Sequence, residues 1–129
     1  MAKAYYTLDY QFGLADQALA EARNLMRAKY WTSCVSQCYQ VAHRCAAGLL
    51  FGIESRVQTE RDVGMGFEGA FVSTGRTATA FGAAYRRLAD LRRQADFEFE
   101  YLAGPEEAGE ALRLAEGFHE ECMRLRGTL

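Results

Sequence analysis

The segment from Tyr30 to Phe51 constrains the fold most, because it is apolar on nearly every side of a helical projection. Its apolar positions fill more than one helical face: Trp31, Cys34, Val35, Cys38, Tyr39, Ala42, Cys45, Ala46, Leu49 and Leu50. A helix that is apolar all round must be covered by neighbours on several sides. We therefore predict a central helix over this segment, ended by Gly52.

Four further segments show apolar residues at spacings of three and four, which is the pattern of amphipathic helices. The first is predicted to begin after Thr7, or with Asp9 as its N-cap. Thr59 is predicted to cap a shorter third helix, and Pro105 suits the first position of the last one. The predicted helices cover about residues 9–28, 30–51, 59–74, 79–99 and 105–126, with a loop over residues 52–58.

The chain has 129 residues, enough for a single domain with its own core, which we predict over residues 1–129. Val and Ile are scarce and there is one Pro, so the composition supplies helices better than sheets. Short glycine-marked turns favour antiparallel neighbours. We predict an all-α fold, an up-and-down antiparallel bundle of four long helices plus one short helix.

A formal net charge of −2 gives no general attraction to nucleic acid or to an anionic membrane. No stretch reaches the roughly 18 consecutive apolar residues of a membrane helix. The N-terminus also lacks the apolar run of a signal peptide. We therefore expect a cytoplasmic protein with no membrane partner, whose four cysteines stay reduced.

A charged pair lies late in the fourth helix, within Leu91-Arg92-Arg93-Gln94-Ala95-Asp96-Phe97. Arg92 and Asp96 are four residues apart, so their side chains share one helical face. That face borders an apolar stripe: Leu88, Leu91, Ala95 and Phe99. The pair is either an ordinary intrahelical ion pair, contributing about 0.3–0.5 kcal/mol, or part of a polar cleft with a function.

Residues 64–69 match the G-x-G-x-x-G dinucleotide fingerprint as Gly64-Met65-Gly66-Phe67-Glu68-Gly69. That fingerprint requires a preceding strand and a βαβ unit around it. Neither is predicted here, so we interpret the match as accidental.

Two pairs of potential zinc ligands lie at helical spacing, Cys34 with Cys38 and His119 with Cys122. Two facing helices could place four such ligands around one ion. Free cysteine, however, packs as a small hydrophobe in most proteins. We therefore predict no metal and no cofactor.

Two other polar features are interpreted as structural. His43 has no local acid and nucleophile to work with as a general base, so it is predicted to pack or hydrogen-bond at a partly exposed position. Arg86 and Arg93 are seven residues apart on one face and could grip phosphates. Acidic residues interleave with them, so a mixed solvated surface is favoured over a dedicated nucleic-acid face.

Several stretches follow one another in a recognisable order. They are Ala22-Arg23 through Lys29-Tyr30-Trp31, Ser36 to Val41 with Gly48-Leu49-Leu50, Thr59-Glu60 with Phe67, Phe71-Val72 and Gly75, Arg92 to Phe97, and the Pro105 helix with Ala115 and Phe118. In turn they resemble "A-R-x-L … Y", "Y-Y-A … A-L-L", "T-H-s-G … F … F-V-x-x-G", "R-x-x-A-D-Y" and a closing "A-x-x-F". Together they resemble the HEPN family (higher eukaryotes and prokaryotes nucleotide-binding), in its small stand-alone prokaryotic branch.

This resemblance implies an antiparallel helical bundle that dimerises, with the polar motif of the fourth helix near a cleft at the dimer interface. Many family members are RNases that act as toxins. Many are encoded beside a minimal nucleotidyltransferase that serves as antitoxin. The implied partners are therefore a second copy of the chain, a nucleotide or RNA, and a minimal nucleotidyltransferase.

The chain departs from the RNase pattern of the family. RNase members carry Arg followed four to six residues later by His, whereas Arg92 is followed by Asp96 and no His. Glu60 stands in place of the threonine-linked His, and Gln40 in place of the second Tyr of "Y-Y-A". Metal-independent RNA cleavage needs a proton acceptor suited to neutral pH, such as His. An Asp beside an Arg stays ionised and is a weak base.

Three functional hypotheses remain open. The first is a dimeric domain that binds a nucleotide, RNA or a nucleotidyltransferase through Arg92, Asp96, Glu60 and Tyr39, without strong catalysis. The second is an RNase toxin, in which Arg92 is the candidate catalytic residue and another group replaces the missing His. The third is a scaffolding bundle whose N-terminal aromatic residues cover a partner: Tyr5, Tyr6, Tyr10 and Phe12.

Overall fold

The computed structural model describes residues 2–57, 59–98 and 100–129, with side chains from residue 7 onward. Its helices are α1 (Ala2–Arg27), α2 (Trp31–Gly52), α3 (Glu60–Phe67), α4 (Thr79–Phe97) and α5 (Pro105–Arg126). These ranges contain no strand. The predicted all-α bundle of four long helices plus one short helix is confirmed. No helix in the same ranges is both long enough and apolar enough to span a membrane.

The α2 helix is the centre of the bundle and contacts α1, α3, α4 and α5. Its buried side chains are spread around its whole circumference, from Cys34 and Val35 near its start to Leu49 and Leu50 near its end. The predicted central position is confirmed. It follows from the composition of α2, because an apolar surface left uncovered on any side would face water.

The α1 helix begins at Ala2, earlier than predicted. No Gly or Pro lies between Ala2 and Asp9, so nothing interrupts the helix there. The buried side chain of Phe12 is 1% exposed, so it is a core residue. The scaffolding hypothesis, which placed Phe12 on a partner surface, is wrong for this residue. The side chains of Tyr5 and Tyr6 lie outside the described residues.

Thr59 caps α3 as predicted, because its Oγ1 accepts a hydrogen bond from the backbone N–H of Asp62 at 3.1 Å. The chain beyond α3 is not the predicted α-helix. It widens into a π-helical turn over Glu68–Val72. The connection to α4 then passes through Gly75, whose φ of +78° suits glycine.

Aromatic rings join α3, α4 and α5 beneath the polar residues of α4. The Phe67 ring lies 5.0 Å from Phe118 and 6.3 Å from Tyr85, measured between centroids. Tyr85 in turn meets the Tyr39 ring of α2 edge-on, at 6.0 Å. Aromatic pairs contribute about 0.5–1.5 kcal/mol each beyond the area they bury. These contacts fix α4 against α2 and α3.

The α4 helix ends at Phe97 rather than at residue 99, and Phe99 itself lies outside the described residues. The following loop is tied to the first turn of α2, since the Ala103 N–H donates to Thr32 Oγ1 at 3.1 Å. The α5 helix begins at Pro105, as predicted. The loop therefore holds the end of α4 close to the start of α2.

Gly48 marks a close approach of α2 to α1. A Cβ at this position would lie 2.8 Å from Cδ2 of Phe12, whose ring is fixed in the core. We expect Gly48→Ala to lower the free energy of unfolding by about 1–2 kcal/mol. Overpacking costs about 1–3 kcal/mol, which exceeds the gain of about 1 kcal/mol in helix propensity. Urea denaturation followed by circular dichroism measures the difference.

Gly13→Ala in α1 is the matched control for this substitution. A Cβ at Gly13 would meet no atom of a residue outside its chain neighbours within 4 Å. We expect this variant to be stabilised by about 0.5–1 kcal/mol. Equal stabilisation of both variants would contradict the close contact at Gly48.

Candidate functional site

Arg92 lies on α4 at the border between core and solvent, with 17% of its side chain exposed. Its Nη2 donates a hydrogen bond to the Glu60 carboxylate at the start of α3. Its Nη1 lies 3.8 Å from Oδ2 of Asp96, and its guanidinium carbon lies 4.4 Å from the centroid of the Tyr39 ring on α2. The structure thus brings the four predicted site residues together. We call Arg92, Asp96, Glu60 and Tyr39 the Arg92 cluster.

The pairing inside this cluster differs from the predicted one. The hydrogen bond of Arg92 goes to Glu60 on another helix, whereas 3.8 Å to Asp96 is an ion pair but too long for a hydrogen bond. Asp96 instead accepts a hydrogen bond from the hydroxyl of Ser36 on α2. Ser36 was not among the predicted site residues. Its spacing of three from Tyr39, which places both on one face of α2, was the available signal.

The surroundings of Arg92 keep it charged. Burial alone would lower the pKa of Arg92, but its contacts with Glu60 and Tyr39 outweigh burial, and the pKa is raised. The Nε atom is buried and has no hydrogen-bond partner within the described ranges. An unsatisfied buried donor costs about 1–3 kcal/mol. The position of the charged Arg92 guanidinium is therefore not the most favourable one for the stability of the fold.

His43 borders the cluster, one helical turn after Tyr39. The two rings stack with centroids 5.8 Å apart, and His43 Nδ1 is buried without a hydrogen-bond partner among the residues described. Burial lowers the pKa of His43, the Glu60 carboxylate opposes this, and Arg44 and Arg92 reinforce it. His43 is therefore neutral near pH 7. The stacking fits the predicted packing role, but the nearness to the Arg92 cluster was not predicted.

Phe97 forms the exposed side of the cluster. Its ring centroid lies 5.6 Å from the guanidinium carbon of Arg92, and 71% of the residue is exposed. Leu102 is 84% exposed and Tyr30 is 64% exposed. Both lie at the same end of the bundle, because the loop after α4 is tied to Thr32. Large exposed apolar side chains next to polar groups are typical of binding surfaces.

The charges of the cluster favour one kind of ligand. Arg92 contributes one positive charge and Glu60 and Asp96 two negative charges, a net charge of −1. The side chains of Glu60 and Asp96 are 49% and 34% exposed, more than that of Arg92. A ligand arriving from solvent therefore meets carboxylates and the Phe97 ring first. Carboxylates accept hydrogen bonds from hydroxyl and amino groups and repel phosphate.

The four potential zinc ligands do not come together. Cys34 Sγ donates to a backbone carbonyl of α1 at 3.4 Å, and His119 Nε2 lies 2.6 Å from Oδ1 of Asp16. Cys122 lies beside Cys45 in the core, and burial raises the pKa of its thiol. In the described part of the chain, no group of three or more His, Cys, Asp or Glu side chains is placed to hold a metal.

The other arginines of α4 are paired with acids. The pairs are Arg86 with Glu68, Arg87 with Glu110 at 2.8 Å and Arg93 with Glu98 at 3.5 Å. The predicted mixed, solvated surface is confirmed. The Gly64–Gly69 motif lies on α3 and the start of the π-helical turn, with no strand before it in the described ranges, so it is not a dinucleotide-binding turn.

A protein-family model, the HEPN domain, matches residues 12–125, which is most of the chain. The chain belongs to the HEPN family. The resemblance predicted from the sequence is confirmed. HEPN membership makes this a helical domain related to nucleotides or RNA, of a kind that often dimerises. No curated protein matches the chain.

His43 makes the stability of this HEPN domain depend on pH. Its pKa is lowered from the ordinary 6.5 by folding, so the unfolded chain takes up the proton first as the pH falls. Stability should therefore decrease below about pH 6.5, until the lowered pKa of the folded state is reached. We expect His43→Leu, which cannot be protonated, to flatten the unfolding free energy between about pH 7 and about pH 5. Urea denaturation across this range measures it.

His119→Leu is the matched control, because it removes the other histidine, which is paired with Asp16. This variant should keep the decrease in stability that depends on His43. If the decrease disappears in His119→Leu and persists in His43→Leu, the assignment to His43 is wrong.

Proposed function

We propose that this HEPN domain binds a nucleotide unit, either free or within single-stranded RNA, at the Arg92 cluster and does not cleave it. One observation carries the proposal. The exposed ring of Phe97 lies 5.6 Å from the Arg92 guanidinium, which also pairs with the partly exposed carboxylates of Glu60 and Asp96. This combination offers a stacking surface and hydrogen-bond acceptors to the same ligand.

Phe97 would stack on a nucleotide base. As the last residue of α4, it has a backbone fixed by the helix while its ring stays open to solvent. Arg92 lies near one side of this ring and leaves the rest accessible. Stacking on an aromatic side chain contributes about 1–3 kcal/mol per base and tolerates any base. This supports recognition of an unpaired nucleotide rather than of duplex RNA.

Glu60 and Asp96 would bind the sugar or the base edge. Both carboxylates can accept hydrogen bonds from ribose hydroxyls or base amino groups. The net charge of −1 disfavours a phosphate inside the cluster, although the exposed Arg61 and Arg93 lie close by in the chain. We therefore expect binding to depend only weakly on salt, unlike binding dominated by phosphate contacts.

The cluster is poorly equipped to cleave RNA. Glu60 and Asp96 already accept one hydrogen bond each, from Arg92 and from the Ser36 hydroxyl, and a carboxylate is a weaker base near neutral pH than an imidazole. One observation favours the RNase alternative, namely the neutral imidazole of His43 next to Tyr39. Its Nδ1 is buried, and we therefore rank the RNase second.

A second copy of the chain would complete the site. Leu102 and Tyr30 are exposed apolar side chains at the same end of the bundle as Phe97, and we assign them to the contact between two copies. The cluster would then lie at the edge of the dimer interface, as the resemblance implies. Because of the same resemblance, the proposal includes a minimal nucleotidyltransferase that acts as antitoxin. It also includes a cytoplasmic location, which the free cysteines favour.

Binding of a fluorescein-labelled single-stranded RNA oligonucleotide of mixed sequence, followed by fluorescence anisotropy, tests the proposal. We expect Phe97→Ala to weaken binding by about 5- to 100-fold, the equivalent of losing one stacked base. The exposure of Phe97 means that its removal should leave the fold intact. AMP should compete with the RNA, because the proposed site holds a single nucleotide unit.

Met123→Ala is the control, since Met123 is also an exposed apolar side chain but lies on α5. Its binding should equal that of the unchanged protein. The proposal would be overturned in favour of the RNase if the protein cleaved the oligonucleotide, or arrested growth on expression, and Arg92→Ala abolished that activity. A flat titration would favour the scaffold.

A further inference from the structure

A groove of about 490 Å³ runs between α4 and the wall formed by α3 and its π-helical turn. Its lining is mostly carbon and includes Met65, Phe67, the Tyr85 ring and Ala89. Met65 is 62% exposed at its edge. The volume lies within the roughly 300–1,000 Å³ typical of small-molecule sites. The groove therefore has the size and the apolar surface of a ligand site.

Glycines set the shape of this groove. A Cβ at Gly64 would lie 3.1 Å from the Tyr85 ring, and one at Gly82 would lie 3.0 Å from the Glu68 carboxylate. Gly64 therefore allows α3 to approach α4 closely, and Gly82 allows α4 to approach the π-helical turn. At Gly69, in the π-helical turn, a Cβ would meet nothing within 4 Å. A larger side chain at Gly69 would therefore have space at this side of the groove. In addition, π-helical turns occur frequently at functional sites.

Charged side chains give the groove a positive character. Arg86 is paired with Glu68, and Arg61 has no ion-pair partner in the described ranges. Two positive side chains and one negative side chain sum to a net charge of +1. Arg61 is the group free to receive an anion, because Arg86 already holds a carboxylate.

The length of the wall argues against a protein partner. The α3 helix has eight residues and so is about 12 Å long. A stable protein interface usually covers about 800 Å² on each partner. A groove this short offers a docked helix only a fraction of that area. Its lining and charge instead suit a compact molecule with an apolar body and one negative group.

We propose that this groove binds a small amphiphilic monoanion, with its apolar body against Met65, Tyr85 and Ala89 and its anionic group at Arg61. The ligand class includes aliphatic and aromatic carboxylates and sulfonates. This site is separate from the Arg92 cluster and goes beyond the function proposed above. Tyr85 lies between the two, with its ring in the groove and 6.0 Å from the Tyr39 ring.

Anilinonaphthalene sulfonate, an aromatic monoanion whose fluorescence rises in apolar surroundings, is a suitable probe for the full chain. We expect saturable binding that decanoate displaces and that the decyltrimethylammonium cation does not. The leucine side chain of Gly69→Leu should occupy part of the groove and weaken binding of the probe about tenfold or more. Arg61→Gln should weaken it about fivefold, comparable to the loss of a good surface ion pair.

Gly13→Leu is the matched control, because a side chain there also enters open space but lies on α1. Unchanged binding in Gly69→Leu, or equal displacement by the anion and the cation, would overturn the proposal. A change in molecular mass of Gly69→Leu by analytical ultracentrifugation would overturn it in favour of a contact between copies. If Gly69→Leu fails to fold, the two remaining measurements decide. The proposal stands only if Arg61→Gln weakens binding and decanoate, but not the decyltrimethylammonium cation, displaces the probe.

Discussion

The burial of α2 on all sides is the constraint on which the rest of the structure depends. Its apolar circumference places α1, α3, α4 and α5 around it, because each must cover part of that surface. The cover is interrupted where α2 carries Ser36, Tyr39 and His43, whose polar atoms need partners or solvent. The helices α3 and α4 meet this stretch with the charged side chains of Glu60, Asp96 and Arg92. The candidate site is thus the place where the apolar packing of the central helix stops.

The contacts of the Arg92 cluster fix the positions of its side chains rather than contribute much to stability. Replacing a buried ion pair by apolar groups is often neutral or stabilising, whereas removing one partner is costly. Here the guanidinium is held by one hydrogen bond, one longer ion pair and the rings of Tyr39 and Phe97, and its Nε has no hydrogen-bond partner within the described ranges. A buried polar atom without a partner calls for an explanation other than stability, and the binding role proposed for the cluster supplies one.

The sequence predicted the parts of the molecule that depend on local patterns. The central helix, the Thr59 cap and the start of α5 at Pro105 follow from periodicity and cap chemistry, and the structure has all three. The π-helical turn could not be predicted, because Phe67 and Phe71 fit an ordinary α-helical spacing equally well. The local pattern could establish that Arg92 and Asp96 share a face, which they do.

The tertiary part of the site was beyond any local pattern. The stronger partner of Arg92 is Glu60, which is 32 residues away in the chain, and the partner of Asp96 is Ser36, which is 60 residues away. The family resemblance nonetheless predicts the four site residues together, since it carries information about which positions meet. It carried none about His43, which lies beside the cluster because its ring stacks on that of Tyr39.

The placement of acids relative to arginines, rather than the net charge of −2, decides what each surface can bind. On one side of Tyr85, two partly exposed carboxylates flank Arg92 and leave a net charge of −1, which suits hydroxyl and amino groups. On the other, Arg61 is left without a counter-ion in the described ranges and the groove carries +1, which suits an anion. Both arrangements are built on α3 and α4, with Glu60 and Arg61 adjacent in the chain. Because a Coulomb interaction is strong only over a few ångströms at a solvated surface, the two surfaces can keep opposite preferences although a single aromatic side chain separates them.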